Sequence, residues 1–455
     1  MNEKLVKALD YVDDAHLAEA AKTRNPRRKF LAPIAAMLAL VLILAIPSAP
    51  ARVAATEIST PTANRLENGD GLYWQNSRRA LRDSSGSLAD FTDLCSAQVL
   101  AGADDTNRIW SPVSAYISLA IAAELSEGQT HQELLDVLDV PDIDVLRQRI
   151  TAIWENLSVS NEKGEIVFAN SLWLDNSVSF DQEKMDQVSY HYYAPVLQQD
   201  LSSSAARKAV ANWVKNQTHG KLSYDGSIGT EGNNAIALIS SLYFQSDWYW
   251  EFDPKDNTAR TFHGNSGDYP KTFMYQKLYG HSYYWSDDFA AIQLSLKNDA
   301  SMWFILPDED KTIDQVLYSG EYMDLILDAL PSAWANQRGM KEIRLYLPKF
   351  TINNSASLKS TLQDLGLQKI FSPIEGEFSQ SLASSLPFFL DDIRQHNRVE
   401  INEYGVIATG YTELIFGYGA NAPNEDYIEM IFDRPFLFVI EKNNVALFAG
   451  VVNHP

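Results

Sequence analysis

Few residues of this chain have the types and spacing that catalysis needs. GYGANA (417–422) is a loose GxGxxA. A dinucleotide fingerprint must lie between a strand and a helix whose N-terminus faces phosphate. Here Pro423 and the polar run Asn424-Glu425-Asp426 follow, with no helical pattern. The sequence contains no HExxH, no GxSxG and no P-loop. His131, His191, His219, His263, His281, His396 and His454 are scattered, without metal-ligand spacing. Cys95 is the sole cysteine, so there is no intrachain disulfide and no Cys-based metal site. It lies in FTDLCSAQVL, whose apolar rhythm is helical, and reads as a buried structural thiol. No nucleophile, base and orienting group assemble, so the expectation is a protein that is not an enzyme and needs no cofactor or metal.

The stronger signal is a segment on which chemistry could be done. VEINEYGVIATGYTELIFGYGANAPNEDYIEMIFDRPFLF runs from Val399 to Phe438. Its ends read as buried strands. Its middle mixes small, β-branched and aromatic residues, with no helical period and no Asn-Gly or Asp-Gly turn. So long a segment between two strands usually carries function in a compact domain.

The elements that must hold this segment come next. The chain has 455 residues, of which 45% are apolar and 11% aromatic, enough for a sizeable core. Formal net charge is −22; residues 1–55 carry eight Lys/Arg and five Asp/Glu, which leaves −25 on the remaining 400. That balance argues against nucleic acid or an anionic membrane face as partner and reads as a solubilised surface. Phe30 to Ala51 is an uncharged run of 22 residues behind Arg24, Arg27, Arg28 and Lys29. It is long enough to span a bilayer with the basic side inside, and APA or VAA after it would suit signal cleavage. The expected organisation is a cytoplasmic segment at 1–29, a transmembrane or signal segment at 30–51, a polar linker at 52–87 and a folded domain at 88–455. The domain would lie outside the cytoplasm, anchored or secreted.

Within the domain, SAYISLAIAAEL (114–125), HQELLDVLDV (131–140), SAARKAVANWVKNQT (204–218) and SASLKSTLQDLGL (355–367) have helical spacing. EIVFANSLWL (165–174), NAIALISSLYFQ (234–245), SMWFILP (301–307), EIRLYLPKF (342–350) and NNVALFAGVVN (443–453) read as strands. Their near-continuous apolar runs suggest strands covered on both faces. Helices come early and strands late, which favours an α+β fold.

From about Leu88 to Pro455 the landmarks resemble the serpins, a family of suicide protease inhibitors. The resemblance rests on NRIWSPVSAYISLAIAAELSEGQT, FANSLWL, NWVKNQTHGKLS, SLYFQSDWYWEFDP with Trp248, LPKFTINNSASLKSTLQDLGLQKIFS and FDRPFLFVIEKNNVALFAGVVNHP, in family order. It implies three β-sheets with eight or nine helices in one domain, and an exposed reactive loop after a fifth strand ending at Val399–Gly405. With the N-terminal segment, the expectation is a membrane-anchored or secreted prokaryotic member. It would be a monomer whose partner is an extracellular serine protease, with which it forms a covalent acyl complex.

The family mechanism implies that the cut loop enters the large sheet as a new strand and drags the acylated protease with it. Side chains on such a strand alternate between core and solvent. Aligned on Glu403 and Gly405, the hinge set Val406, Ala408, Gly410 and Thr412, followed by Leu414 and Phe416, would face inward. Ile407, Thr409, Tyr411, Glu413 and Ile415 would face outward. The family's efficient inhibitors favour Thr or Ser where Val406 stands and Ala where Tyr411 stands. Ser111, Ser114 and Asn170 match the polar cluster under the sheet, and Gln395 stands where many members have a histidine. Family spacing from Glu403 puts the scissile bond at Gly419–Ala420; counting back from Pro435 puts it at Asn424–Glu425. The candidate window is therefore Tyr418, Gly419, Ala420, Asn421, Ala422, Pro423 and Asn424, which holds no Lys or Arg. A trypsin-like target needs a cation there and is excluded. Gly419, Ala420 and Ala422 suit an elastase- or subtilisin-like enzyme, and Tyr418 a chymotrypsin-like one. The alternative is a non-inhibitory member acting as a surface binding or carrier module.

Overall fold

The structure, a computed structural model, describes residues 55–61, 71–102, 105–222, 224, 236–327, 334, 336–378, 382–383, 389–390, 393–406 and 427–455. The chain divides into two compact units, Met1–Val53 and Ala54–Pro455, and the description is of the second. The expected cytoplasmic and transmembrane or signal segments at 1–29 and 30–51 lie outside the described residues. Among those described, no helix is long and apolar enough to cross a membrane.

Nine α-helices occur among the described residues: α1 (Gly71–Leu100), α2 (Pro112–Leu125), α3 (Gly128–Val137), α4 (Ile143–Leu157), α5 (Gln182–Tyr192), α6 (Ser204–Gln217), α7 (Ile313–Ser319), α8 (Glu321–Leu327) and α9 (Lys359–Asp364). Among the described residues the site-bearing sheet has eight strands: β1 (Thr56–Ser59), β2 (Val159–Asn161), β3 (Gly164–Leu174), β4 (Val196–Gln198), β5 (Ile236–Asp247), β6 (Phe350–Ser357), β7 (Arg394–Asn402) and β8 (Gly405–Val406). Their order is β1-β4-β3-β5-β8-β7-β6, with β2 against β3. A second sheet of nine strands runs from Tyr427–Ile431 through Arg338–Pro348, Gly267–Trp285, Phe289–Ser295, Ser301–Pro307, Phe436–Lys442 and Val445–Val452 to Arg108–Trp110, with Thr258–Gly264 beside Gly267–Trp285. Leu382–Ala383 pairs with Ser179–Phe180 in a third, two-stranded sheet. The arrangement is the α+β fold that the resemblance implied, with nine helices and two large sheets among the described residues.

The apolar patterning explains why the elements sit where they do. All fourteen residues of α2 are buried, as expected for a helix apolar all round. Ser111 caps it, its hydroxyl accepting from the Ser114 amide, and Pro112 occupies the first turn, where a missing N–H costs nothing. In β5, Leu242 and Phe244 join the main core, whereas Ala237 and Ile239 pack against α6 through Val210, Val214 and Trp213. That strand is covered on both faces, which accounts for its unbroken apolar run. Cys95 is 1% exposed, and burial pushes its thiol up to about 12, so it is inert packing.

Two stretches depart from the sequence reading. Residues 52–87 were expected to be linker, but folded structure reaches into them. β1 pairs with β4, from Thr56 opposite Gln198 to Ser59 opposite Val196, and α1 begins at Gly71. The polar composition hid a helical face: Leu81, Ser84 and Leu88 are buried at the spacing of one side of a helix. The predicted helix at 355–367 is confined to α9, because β6 continues to Ser357, opposite Arg394 on β7. Tertiary pairing there overrides the local helical signal.

Candidate functional site

β7 ends at Asn402 and the chain reverses into β8 through a tight turn. The Asn402 side-chain oxygen accepts from the Tyr404 amide at 2.9 Å and the Gly405 amide at 3.3 Å, as Asn does in such turns. Ile401 then lies opposite Val406, and Asn402 opposite Gly405. On its other edge β8 pairs with β5: Gly405 opposite Asp247, Val406 opposite Ser246. The two residues after the turn thus sit between the two strands as a short new strand. Val406 is fully buried in the main core. Gly405 has no alternative there, because a Cβ would stand 2.3 Å from the Ser246 carbonyl oxygen and 2.6 Å from the Asp247 Cα.

An arch formed by residues 248–252 grips this turn through main-chain atoms. The Trp248 amide donates to the Tyr404 carbonyl at 2.9 Å, and the Phe252 amide to the Glu403 carbonyl at 2.9 Å. The Trp248 indole N–H donates to the Asn402 carbonyl at 2.9 Å, and its ring is 1% exposed. The Glu403 carboxylate accepts from Lys349 at 2.9 Å and from Asn257 at 2.6 Å. Burial alone would raise its pKa, but these two partners outweigh that and hold it below the ordinary carboxylate value.

A second polar group lies further down the sheet, where α2 begins. The Ser111 amide donates to Gln395 Oε1 at 2.9 Å, and Gln395 Nε2 donates to the Ser111 carbonyl at 2.8 Å. The Ser111 and Ser114 hydroxyls are 3.0 Å apart. Asn397 adds bonds to the Ile109 carbonyl and to Gln395 Oε1, both at 3.3 Å. Asn170 is buried on β3 but bonds elsewhere, accepting from the Ser240 hydroxyl on β5 at 2.7 Å.

The structure therefore brings Trp248, Glu403, Gly405 and Val406 into one site, and Ser111, Ser114 and Gln395 into another. Asn170 bonds to Ser240. Ala408, Gly410 and Thr412, and the window Tyr418, Gly419, Ala420, Asn421, Ala422, Pro423 and Asn424, lie outside the described residues. Lys349, Asn257 and Asn397 were not singled out from the sequence. Asn402 was legible in principle, since Asn followed three residues later by Gly is a turn signal. Among the described residues no group of His, Cys, Asp or Glu could hold a metal ion.

Comparison with known proteins decides the lineage. The family profile described as "Serpin (serine protease inhibitor)" matches residues 87–455. The chain belongs to the serpin family. Among its relatives, "Alpha-1-antiproteinase" of Callosciurus caniceps is 26% identical over 378 residues, covering 81% of this chain and 88% of that protein. "Serine protease inhibitor 2" of Anopheles gambiae is 27% identical over 381 residues, covering 77% and 88%. The native state of the thermophilic serpin Tengpin superposes with a TM-score of 0.71 at 21% identity, covering 89% of this serpin and all of that chain. Human thyroxine-binding globulin complexed with its ligand superposes at 0.70 with 22% identity, covering 83% and 99%. Protease inhibitors thus stand among the relatives, and a thyroxine-binding globulin shares the fold.

Proposed function

We propose that this serpin is a suicide inhibitor of an extracellular serine protease. The reading is carried by the seating of Gly405 and Val406 between β5 and β7. That is the position a cleaved loop must extend from. Continuing the two ladders one residue at a time sets Ala408 between Phe244 and Val399, Gly410 between Leu242 and Asn397, and Thr412 between Ser240 and Gln395. Each position faces the core, because its neighbours on both strands do. Thr412 would arrive beside Ser111 and Ser114, where a hydroxyl has partners, and Leu414 and Phe416 would follow into the core. Burying Val, Leu and Phe side chains is worth roughly 1.5–3 kcal/mol each, so with a strand of ladder bonds insertion gains on the order of 10 kcal/mol.

In this reading the protease serine attacks a bond within Tyr418–Asn424 and forms the acyl ester. The new N-terminal half then zips into the sheet from Val406 onward and carries the enzyme away from the hinge. Distortion of the captured enzyme removes oxyanion donors, each worth on the order of 10²–10³ in rate, so the ester persists. The native protein is held by a barrier rather than by equilibrium. The cation-free window favours an elastase- or subtilisin-like target, with a chymotrypsin-like one served by Tyr418. The run Phe30–Ala51 would anchor the monomeric inhibitor outside the cell or export it.

A non-inhibitory carrier is the second reading, favoured by Val406 and Tyr411 where efficient inhibitors have hydroxylated or small residues. One experiment separates the two. The purified protein is incubated with elastase-, subtilisin-, chymotrypsin- and trypsin-like enzymes, then run on a denaturing gel and mapped by mass spectrometry. An inhibitor gives an SDS-stable complex with the cut inside Tyr418–Asn424. Loop cleavage with no complex and no gain in thermal stability would establish the carrier instead.

A further inference from the structure

Lys442 ends the strand Phe436–Lys442 and is only 7% exposed. A lysine this deep normally has a carboxylate partner. Here Nζ donates to one acceptor, the Asn298 main-chain carbonyl at 2.5 Å, and forms no ion pair among the described residues. The ammonium has two further donors with no acceptor. Burial pushes the amine below its ordinary value, against the charges of Asp299 and Glu441, which favour the ammonium. An amine that gives up its proton becomes a nucleophile.

Asn298 carries the complementary anomaly. It is 2% exposed, and its Nδ2 is buried without a hydrogen-bond partner. A buried donor left unpaired is rare and calls for an explanation. The rest of the residue is held firmly. Its amide donates to the Ser246 hydroxyl at 3.2 Å, and its Oδ1 accepts from the Ala300 amide at 3.2 Å. The Leu296 amide closes the turn by donating to the Ala300 carbonyl at 2.9 Å. Covalent geometry keeps the Asn298 Cγ within about 5 Å of that residue's own carbonyl oxygen, the atom on which Nζ rests. A buried amine and a buried primary amide, each short of partners, therefore meet at one place.

We propose that Lys442 and Asn298 condense into an isopeptide bond once the chain has folded. Lys442 Nζ, as the neutral amine, attacks Asn298 Cγ. The Nζ–Cγ bond forms, the Cγ–Nδ2 bond breaks, one proton passes from Nζ to Nδ2, and ammonia leaves. Nothing is oxidised or reduced, and no cofactor is needed. Asp299 and Glu441, whose charges reach Lys442, are the groups that can relay the proton. The Ala300 N–H already on Oδ1 is a donor for the oxyanion that develops there. The product removes both anomalies: the unpaired Nδ2 is gone, and the single N–H left on Nζ has the Asn298 carbonyl as acceptor. The two residues are 144 apart in sequence, so only the fold brings them together.

The bond has a defined place in the molecule. The Lys297 amide donates to the Asp247 carbonyl at 2.9 Å. Ser246 and Asp247 are the residues opposite Val406 and Gly405. The cross-link thus fastens the strand Phe436–Lys442 of the second sheet to the end of β5, behind the seat of β8. It closes a long loop and restricts the unfolded chain as a disulfide does, in a sequence whose single cysteine provides none.

The test is the mass of the denatured full-length protein, followed by peptide mapping. The wild type should be lighter than its sequence by one ammonia. Digestion should release a branched peptide joining the segment around Asn298 to that around Lys442, a readout independent of any processing at the N-terminus. Lys442→Met and Asn298→Ala should each restore the full sequence mass in these segments and lower the unfolding midpoint. A succinimide at Asn298-Asp299 also loses ammonia, but it forms without the lysine. Loss of ammonia that persists in Lys442→Met therefore overturns the cross-link. So does a wild type whose two segments appear as separate peptides of full mass, whether or not the variants fold.

Discussion

Ser111 and Gln395 bind each other through both faces of one amide, at 2.9 and 2.8 Å, across 284 residues of sequence. The bond ties the start of α2 to β7 beneath the point where a further strand would enter. Gln395 is 4% exposed and Ser111 fully buried, so neither has water as a substitute partner.

Gln395→Ala should therefore leave a buried amide N–H without its acceptor. Such an orphan costs about 1–3 kcal/mol. The unfolding midpoint in denaturant should fall with an unchanged slope. A midpoint equal to wild type would show that this pair contributes nothing to the native state.

Gly405→Ala tests the seating of β8. The new methyl would collide with backbone at Ser246 and Asp247, which cannot rotate away. Overpacking of this kind costs about 1–3 kcal/mol. We expect β8 to be displaced and the variant to be cleaved as a substrate more often than it traps. The readout is the ratio of cleaved to complexed protein. A ratio like that of wild type would mean that β8 need not be seated for insertion.

Ala408→Arg and Thr409→Arg test the register. The first would bury an unpaired charge, a penalty of several kcal/mol even after relaxation. The second faces outward. Complex formation should collapse for the first and survive in the second. Equal behaviour of the two would reject the alternation drawn from Val406 onward.

Stability should also depend on pH through Glu441, on the strand Phe436–Lys442. Burial pushes its carboxyl up to about 7, against the Asn444 amide, which donates to it at 3.3 Å and favours the charge. The folded protein holds a proton there that the unfolded chain has released above its ordinary value of 4.5. Stability from this group is thus greatest below that value and falls as pH rises towards 7. The loss is on the order of 3 kcal/mol at most. Glu403 works the other way, since its pKa is lowered, and its contribution fades as pH falls below the ordinary carboxylate range. Glu441→Gln should flatten the upper window alone. A melting temperature that still declines between pH 5 and 7 in that variant would assign the effect to another group.

The sequence made the family, the core strands and part of the site legible, and the limits have physical causes. Trp248, Glu403 and Gly405 stood out because each belongs to a contiguous motif. Lys349 and Asn257 did not, because they reach Glu403 from 54 and 146 residues away and nothing in their local spacing marks them. The resemblance sets Asn170 with Ser111 and Ser114, and what its side chain bonds depends on the β3–β5 register, which sets it opposite Ser240. Register between strands is decided by the whole ladder and not by one side chain. β1 was missed because four residues of mixed polarity carry no period long enough to read. It becomes a strand only through the free edge of β4.

That edge strand has a mechanical consequence. β1 is the first described segment of the chain and holds the sheet by a few cross-strand pairs, interrupted between Glu57 and Ser59. Ser59 and the Ile58 carbonyl add contacts to Asp186 and Gln182 on α5 at 2.7 and 3.1 Å. A force applied ahead of Ala55 and directed away from the sheet would load these pairs one at a time from Thr56, as a zip opens, and not all together. β1 would let go at low force, lengthening the leash before any load reached β3 or β5. In an inhibitor tethered as proposed above, the strands that part for loop insertion would thus be isolated from tugging at the N-terminal side.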